Sequence, residues 1–193
     1  PGTGKTTMAK AFIKRHGGLK GLYLCWTGLL ASKVKLDLDK ERLDTCVVNT
    51  FNNYVKEITD PEFNIEKRFG KPNFRKDMRN ALKDVMRCEY DYIIVDEAQD
   101  IADKGVDILL DELLGSTHNG LKLGRYLVFY DLEQGYNNAT KKLNEVIRII
   151  TEQAACFVLD ENKRVPTNRM IVEYANKVLS IDHDQESLDT FYY

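Results

Sequence analysis

Pro1-Gly2-Thr3-Gly4-Lys5-Thr6-Thr7 opens the chain, and its reading decides the fold. Gly4, Lys5 and Thr6 fill the last three places of the phosphate-binding pattern G-x-x-x-x-G-K-[ST], the Walker A loop. The first glycine of that pattern would fall just before Pro1, so the chain is expected to begin inside the loop. Glycines let a backbone wrap a phosphate with its N–H groups, because no Cβ stands in the way. On this reading Gly2, Thr3, Gly4, Lys5, Thr6 and Thr7 form the nucleotide cradle. Lys5 reaches the β- and γ-phosphates, and Thr6 offers its hydroxyl to Mg2+. The helix that follows aims its positive end at the same phosphates. The plainer alternative is a glycine-rich turn ahead of a helix.

Working outward, Met8, Ala9, Ala11, Phe12 and Ile13 give that helix an apolar face, and Gly17-Gly18 ends it. Leu22-Tyr23-Leu24-Cys25-Trp26 reads as a buried strand. A strand after a helix after a phosphate loop implies a parallel sheet with right-handed crossovers. Leu29–Leu38 reads as a helix and Cys46-Val47-Val48 as a strand. The stretch 54–88 reads as a helical insertion with loops around Pro61, Gly70 and Pro72, and a helix over Phe74–Met86. It carries Lys67, Arg68, Lys71, Arg75, Lys76 and Arg79. A solvated surface is the favoured reading of that cluster over contact with a phosphate backbone.

Tyr92-Ile93-Ile94-Val95-Asp96-Glu97-Ala98-Gln99-Asp100 is the second strong signal. A buried strand that runs straight into two acids delivers both to the ligand edge of an open α/β sheet. Asp96 then serves Mg2+ as a Walker B acid, and Glu97 orients or deprotonates an attacking water. Alone, an acidic helix start explains the pair equally well; downstream of a phosphate loop, the catalytic reading is preferred. Val106–Leu114 has helical spacing. Tyr126–Tyr130 reads as another strand, tipped by Asp131 and, at the position of a γ-phosphate sensor, Gln134. Lys141–Ile150 reads as a helix, Ala155–Leu159 as a further strand, and 168–179 as a helix. Arg164, after that strand, is either an arginine finger or a surface arginine. Trp26, the only tryptophan, is either a core aromatic or a platform for a nucleobase.

Size and composition agree with a globular domain. The chain has 193 residues, 43% hydrophobic and 30% charged, with a net charge of −2, which is long enough for one proper core. The charge excludes a strongly basic nucleic-acid coat but not a local basic groove. Cys25, Cys46, Cys88 and Cys156 are scattered without a C-x-x-C pair, so reduced structural thiols are expected and a zinc site is not.

Taken in order, these segments resemble superfamily 1 helicases of the UvrD/Rep-like type. The resemblance runs from Pro1 to about Leu179. Gly2–Thr7 looks like motif I, Leu24-Cys25-Trp26-Thr27 like motif Ia, and Val48-Asn49-Thr50-Phe51 like motif Ib. Val95–Asp100, a D-E-A-Q-D box, is similar to motif II. Asp131-Leu132-Glu133-Gln134 is similar to motif III, and Leu159–Arg164 to motif IV. The chain departs from the family where Tyr130 replaces the usual glycine before Asp131. Tyr136 also follows Gln134 at two residues rather than three, and Val165-Pro166-Thr167 loosens the spacing after Arg164.

The resemblance implies a three-layer, RecA-like P-loop NTPase fold with a mainly parallel sheet, its first strand missing from the chain. The domain would span 1–180, with 181–193 a tail or linker to a missing domain. It implies ATP and Mg2+ as ligands, and Glu97, Gln134 and Arg164 as catalytic groups. Thr6 and Asp96 would serve the metal. Trp26, Thr27, Thr50 and Phe51 would face single-stranded nucleic acid, DNA ahead of RNA. ATP would lie between this domain and a second RecA-like domain, so the chain alone is expected to bind nucleotide weakly and unwind nothing. A cytoplasmic location is expected, or nuclear in a eukaryote, with no membrane partner. Two rivals stand beside this. One is a regulatory or defence ATPase that switches with nucleotide and never unwinds. The other is a P-loop kinase of small molecules, which leaves D-E-A-Q-D unexplained.

Overall fold

The computed structural model describes residues 4–59, 63–83, 90–118, 120–131 and 139–159. The chain divides into two compact units. One is Lys5–Val158; the other joins Pro1–Gly4 to Leu159–Tyr193. Only Gly4 and Leu159 of the second unit are described, so the architecture below is that of Lys5–Val158.

Its element order is α1 (Lys5–Arg15), β1 (Gly21–Cys25), α2 (Gly28–Lys40), β2 (Cys46–Thr50), α3 (Phe51–Ile58), α4 (Ile65–Arg68), α5 (Phe74–Lys83), β3 (Tyr92–Val95), α6 (Val106–His118), β4 (Tyr126–Val128) and α7 (Ala139–Thr151). Short 3-10 turns lie at Ala98–Asp100, Ala102–Lys104 and Gly120–Lys122. The four strands form one parallel sheet in the order β2-β1-β3-β4. Parallel neighbours need crossovers, and the helices supply them. This is the mixed α/β fold with a parallel sheet that the strand–helix alternation predicts.

Both central strands are buried throughout, Gly21–Cys25 and Tyr92–Val95, which is why each reads as an unbroken apolar run. The side-chain period of two then splits them between two cores. Leu22, Leu24, Ile93 and Val95 pack with residues of α3, α5, α6 and α7. Tyr23, Cys25, Tyr92 and Ile94 pack with Ala9 and Ile13 of α1 and Val34 and Leu38 of α2. The result is three layers, helix–sheet–helix. The links Lys10–Asp37 at 2.9 Å and Lys14–Glu41 at 3.1 Å tie α1 to α2 across their outer faces.

One close approach sets the packing of the second core. Gly21 faces Tyr92 across the ladder, and a Cβ on Gly21 would lie 2.2 Å from the Tyr92 ring. Tyr92 is 1% exposed and cannot swing out. Gly21→Ala is therefore expected to destabilise the chain by about 1–3 kcal/mol, the usual cost of overpacking. A urea midpoint lowered in Gly21→Ala and restored in Gly21→Ala/Tyr92→Leu checks it; a midpoint equal to wild type would show the contact to be loose.

One expectation is corrected. Ala155–Leu159 is not a strand; Phe157 and Val158 are 88% and 78% exposed. The run has β-forming residues, but among the described residues no strand pairs with it, and a strand without a partner leaves its backbone groups unsatisfied. The stretch 54–88 is helical where it is described, with the end of α3, then α4 and α5, joined by loops. Residues 168–179 lie outside the described residues, as does the 181–193 tail.

Candidate functional site: the carboxyl edge of the sheet

The parallel register brings Cys25 beside Thr50, Leu24 beside Val95 and Val95 beside Val128. The strands therefore finish together. Backbone bonds carry the alignment past their ends: Asp96 N donates to Leu24 O at 2.8 Å, Phe129 N to Val95 O at 2.8 Å and Ala98 N to Phe129 O at 2.9 Å. Each strand delivers its next residues to one rim.

Alternation assigns a face to each. Tyr92, Ile94 and Asp96 share the face covered by α1, and Tyr23 points the same way from β1. Asp96 is wholly buried and its charge is met by donors on every side. Its Oδ2 accepts from Thr6 Oγ1 at 2.9 Å and from Tyr23 OH at 2.5 Å. Its Oδ1 accepts from the Glu97 backbone N–H at 3.0 Å. Hydrogen bonding of this kind is what allows a carboxylate to be buried. The neighbours register it: burial first, then the Asp96 charge, raise the Tyr23 hydroxyl well above its ordinary range and push the Cys25 thiol up to about 12. Tyr23 therefore stays a neutral donor to Asp96.

Lys5 and Thr6 form the first turn of α1. Lys5 Nζ lies 3.5 Å from Asp131 Oδ2, beyond the tip of β4, and both side chains are 12% exposed. Thr7 is exposed on the same turn. Gly4 has φ of +95°, a left-handed value that glycine adopts without strain. Gly2, Thr3, Gln134 and Arg164, assigned to nucleotide and catalysis from sequence, lie outside the described residues.

Glu97 also holds a left-handed backbone, φ 54° and ψ 47°, uncommon for a residue with a Cβ. Arg42, in the turn after α2, is the other such residue among those described, so the conformation alone marks no function. At Glu97 it is locked by neighbours. Gln99 is 5% exposed; its Nε2 donates to Glu97 Oε2 at 2.6 Å, while its Oε1 accepts from the Asp131 backbone N–H at 3.1 Å. One amide thus fixes the Glu97 carboxylate against the tip of β4.

Tyr23 and Gln99 were not singled out by the sequence reading. A signal existed for each. A buried tyrosine hydroxyl needs a partner, and the β1–β3 register supplies Asp96. The amide in D-E-A-Q-D can both donate and accept, which suits a bridge.

Of the residues assigned to nucleic acid, Trp26, Thr27 and Thr50 stay on neighbouring strand tips, since Cys25 pairs with Thr50, and Phe51 leaves the group. Trp26 is half-buried, on the opposite face of the sheet from Asp96, against the core of α3, α5 and α6. Thr27 is exposed and caps α2, its Oγ1 accepting from Leu30 N at 3.3 Å. Thr50 caps α3 in the same way toward Asn53 N at 3.3 Å. Phe51 is 0% exposed; here it supplies core packing, not surface, and that part of the expectation is corrected. Of the basic cluster, Arg68 pairs with Asp77, Arg75 with Asp107 and Arg79 with Glu112. Three of its arginines thus have acidic partners within the domain, in keeping with the surface reading.

The donor set fits magnesium. A hydroxyl and a carboxylate are hard oxygen ligands, and Mg2+ typically takes one or two such groups, filling its remaining places with water and substrate phosphate. Thr6 and Asp96 could supply that pair. Among the described residues there is no cluster of three or more His, Cys, Asp or Glu that could hold a metal unaided. None of the helices there is long and apolar enough to cross a membrane. Compared with known proteins, the chain matches no family model and no curated protein.

Proposed function

We propose that this chain is the ATP-binding and ATP-hydrolysing domain of a superfamily 1-type helicase or single-strand translocase. The observation that carries the reading is the pairing of Thr6 with Asp96, at 2.9 Å, beside the Lys5–Asp131 pair. The amino end of α1 and the tips of β3 and β4 thereby meet at one rim, where open α/β sheets bind ligands.

In this reading Lys5 and the amino end of α1 hold the phosphates of ATP, and Lys5 exchanges the Asp131 carboxylate for phosphate oxygen. Thr6 and Asp96 hold Mg2+, which when bound neutralises charge on the phosphates. Glu97 orients the attacking water and takes its proton, with Gln99 fixing its carboxylate. Gln134 and Arg164 remain assigned by resemblance to sensing and stabilising the γ-phosphate. Trp26, with the amino ends of α2 and α3 capped by Thr27 and Thr50, offers a stacking face and two positive helix ends to a single strand.

The test is ATP turnover by the intact protein with and without oligo(dT). Stimulation by the oligonucleotide, lost in Lys5→Ala, is expected. Turnover that ignores nucleic acid would favour a nucleotide switch, and turnover preserved in Lys5→Ala would remove the phosphate-loop reading.

A further inference from the structure

The segment that carries Glu97 and Gln99 continues to the other face of the sheet, where it meets Trp26. Lys104 Nζ lies 4.3 Å from the centre of the Trp26 ring and 5.3 Å from that of Phe69. The same ammonium donates to Asp100 O at 2.8 Å and Asp103 Oδ1 at 3.1 Å. Its side chain is 18% exposed, and Phe69 is 37% exposed. Trp26 therefore differs from a tryptophan set wholly in carbon. It packs against the core, yet its π-face is covered by a charge on a flexible stem. An indole face attracts either a cation or another π-system, so an ammonium and a nucleobase compete for the same place.

We infer that Lys104 and Phe69 complete a single-strand site on Trp26: a nucleobase takes the ammonium's place on the indole, Phe69 borders it, and Lys104 turns to the adjoining backbone phosphate. The inference rests on the proposed nucleic-acid role of Trp26 and adds the groups that make the site. In the absence of a strand, Lys104 shields the indole. When a strand arrives, the lysine leaves the Asp103 carboxylate and the Asp100 carbonyl for a phosphate, and the freed carboxylate turns to water and counterions. Asp103 opposes that exchange and keeps the site closed to weak ligands. Because Asp100 and Lys104 follow Gln99 on one short segment, strand binding pulls on the backbone that positions Glu97.

Trp26 is the only tryptophan, so its emission reports the site directly. In the free chain, Lys104→Met is expected to change that emission, because the charge over the ring is gone. Oligo(dT) is expected to quench it in wild type. The slope of log affinity against log salt should fall in magnitude by about one in Lys104→Met and stay unchanged in Lys104→Arg. Quenching with the same salt slope in wild type and Lys104→Met would overturn the role of Lys104 while leaving Trp26 as a base platform. Absence of quenching in wild type would overturn both. If Lys104→Met does not fold, Asp103→Asn decides: it should bind oligo(dT) severalfold more tightly, and an unchanged or weaker affinity would overturn the inference.

Discussion

Glu97→Gln is expected to leave Mg2+-ATP bound to the intact protein and to slow its hydrolysis about 10²- to 10⁴-fold, the usual contribution of a positioned general base. The substitution preserves size and hydrogen-bonding shape. An amide at this position can still accept from Gln99 Nε2, and the backbone N–H that donates to Asp96 Oδ1 is untouched. What it removes is the capacity to take a proton. Binding should persist because the groups assigned to phosphate and metal, Lys5, Thr6 and Asp96, are left unchanged, and Asp96 keeps its bond from the Glu97 backbone. Equilibrium binding of a fluorescent ATP analogue and single-turnover hydrolysis separate the two effects. Turnover at the wild-type rate would assign the base to another residue. Loss of binding together with turnover would mean instead that Glu97 shapes the pocket.

Why the place of Asp96 could be read from so short a signal is a matter of topology. Once Tyr92–Val95 is a fully buried parallel strand, Asp96 must emerge at its carboxyl end, and the period of two puts it on the face of Tyr92 and Ile94. The loop-to-helix step at Lys5 and Thr6 places α1 over that same face. Local pattern and global fold agree here, so the reading needed no distant information. It was weaker where a role depends on a tertiary neighbour. Nothing local says that Tyr23, rather than a backbone group, satisfies Asp96, or that Gln99 spans from Glu97 to Asp131. The apolar run at Ala155–Leu159 misled for the opposite reason. Its composition suits a strand, but strand formation is decided by a partner, and none of the described strands lies beside it. Arg75 shows the same limit: an acid, Asp77, lies two residues away in sequence, while its actual partner is the buried Asp107, bound at 2.5 Å on a helix packed alongside.

The T-F pair at Thr50-Phe51 is where likeness of sequence and physical role part most clearly, and the expected behaviour of Phe51→Ala follows. Thr50 is the residue before α3 and caps it, so Phe51 is the first residue of that helix. This position turns its ring inward, into the core cluster that also holds Leu22, Leu24, Ile93 and Val95 of the sheet. A fully buried phenylalanine truncated to alanine loses both its transfer free energy and the packing around the cavity, about 3–5 kcal/mol. For a chain of this size, that corresponds to a fall in melting temperature of roughly 6–20 °C. Denaturant unfolding of Phe51→Ala beside Trp26→Ala tests the contrast. The first should lose most of its stability and bind oligo(dT) normally while folded. The second should remain folded with a modest loss, since its ring is only half-buried, and bind weakly. If Phe51→Ala kept its unfolding midpoint yet lost the oligonucleotide, the ring would be a contact surface and its place in the core would be wrong.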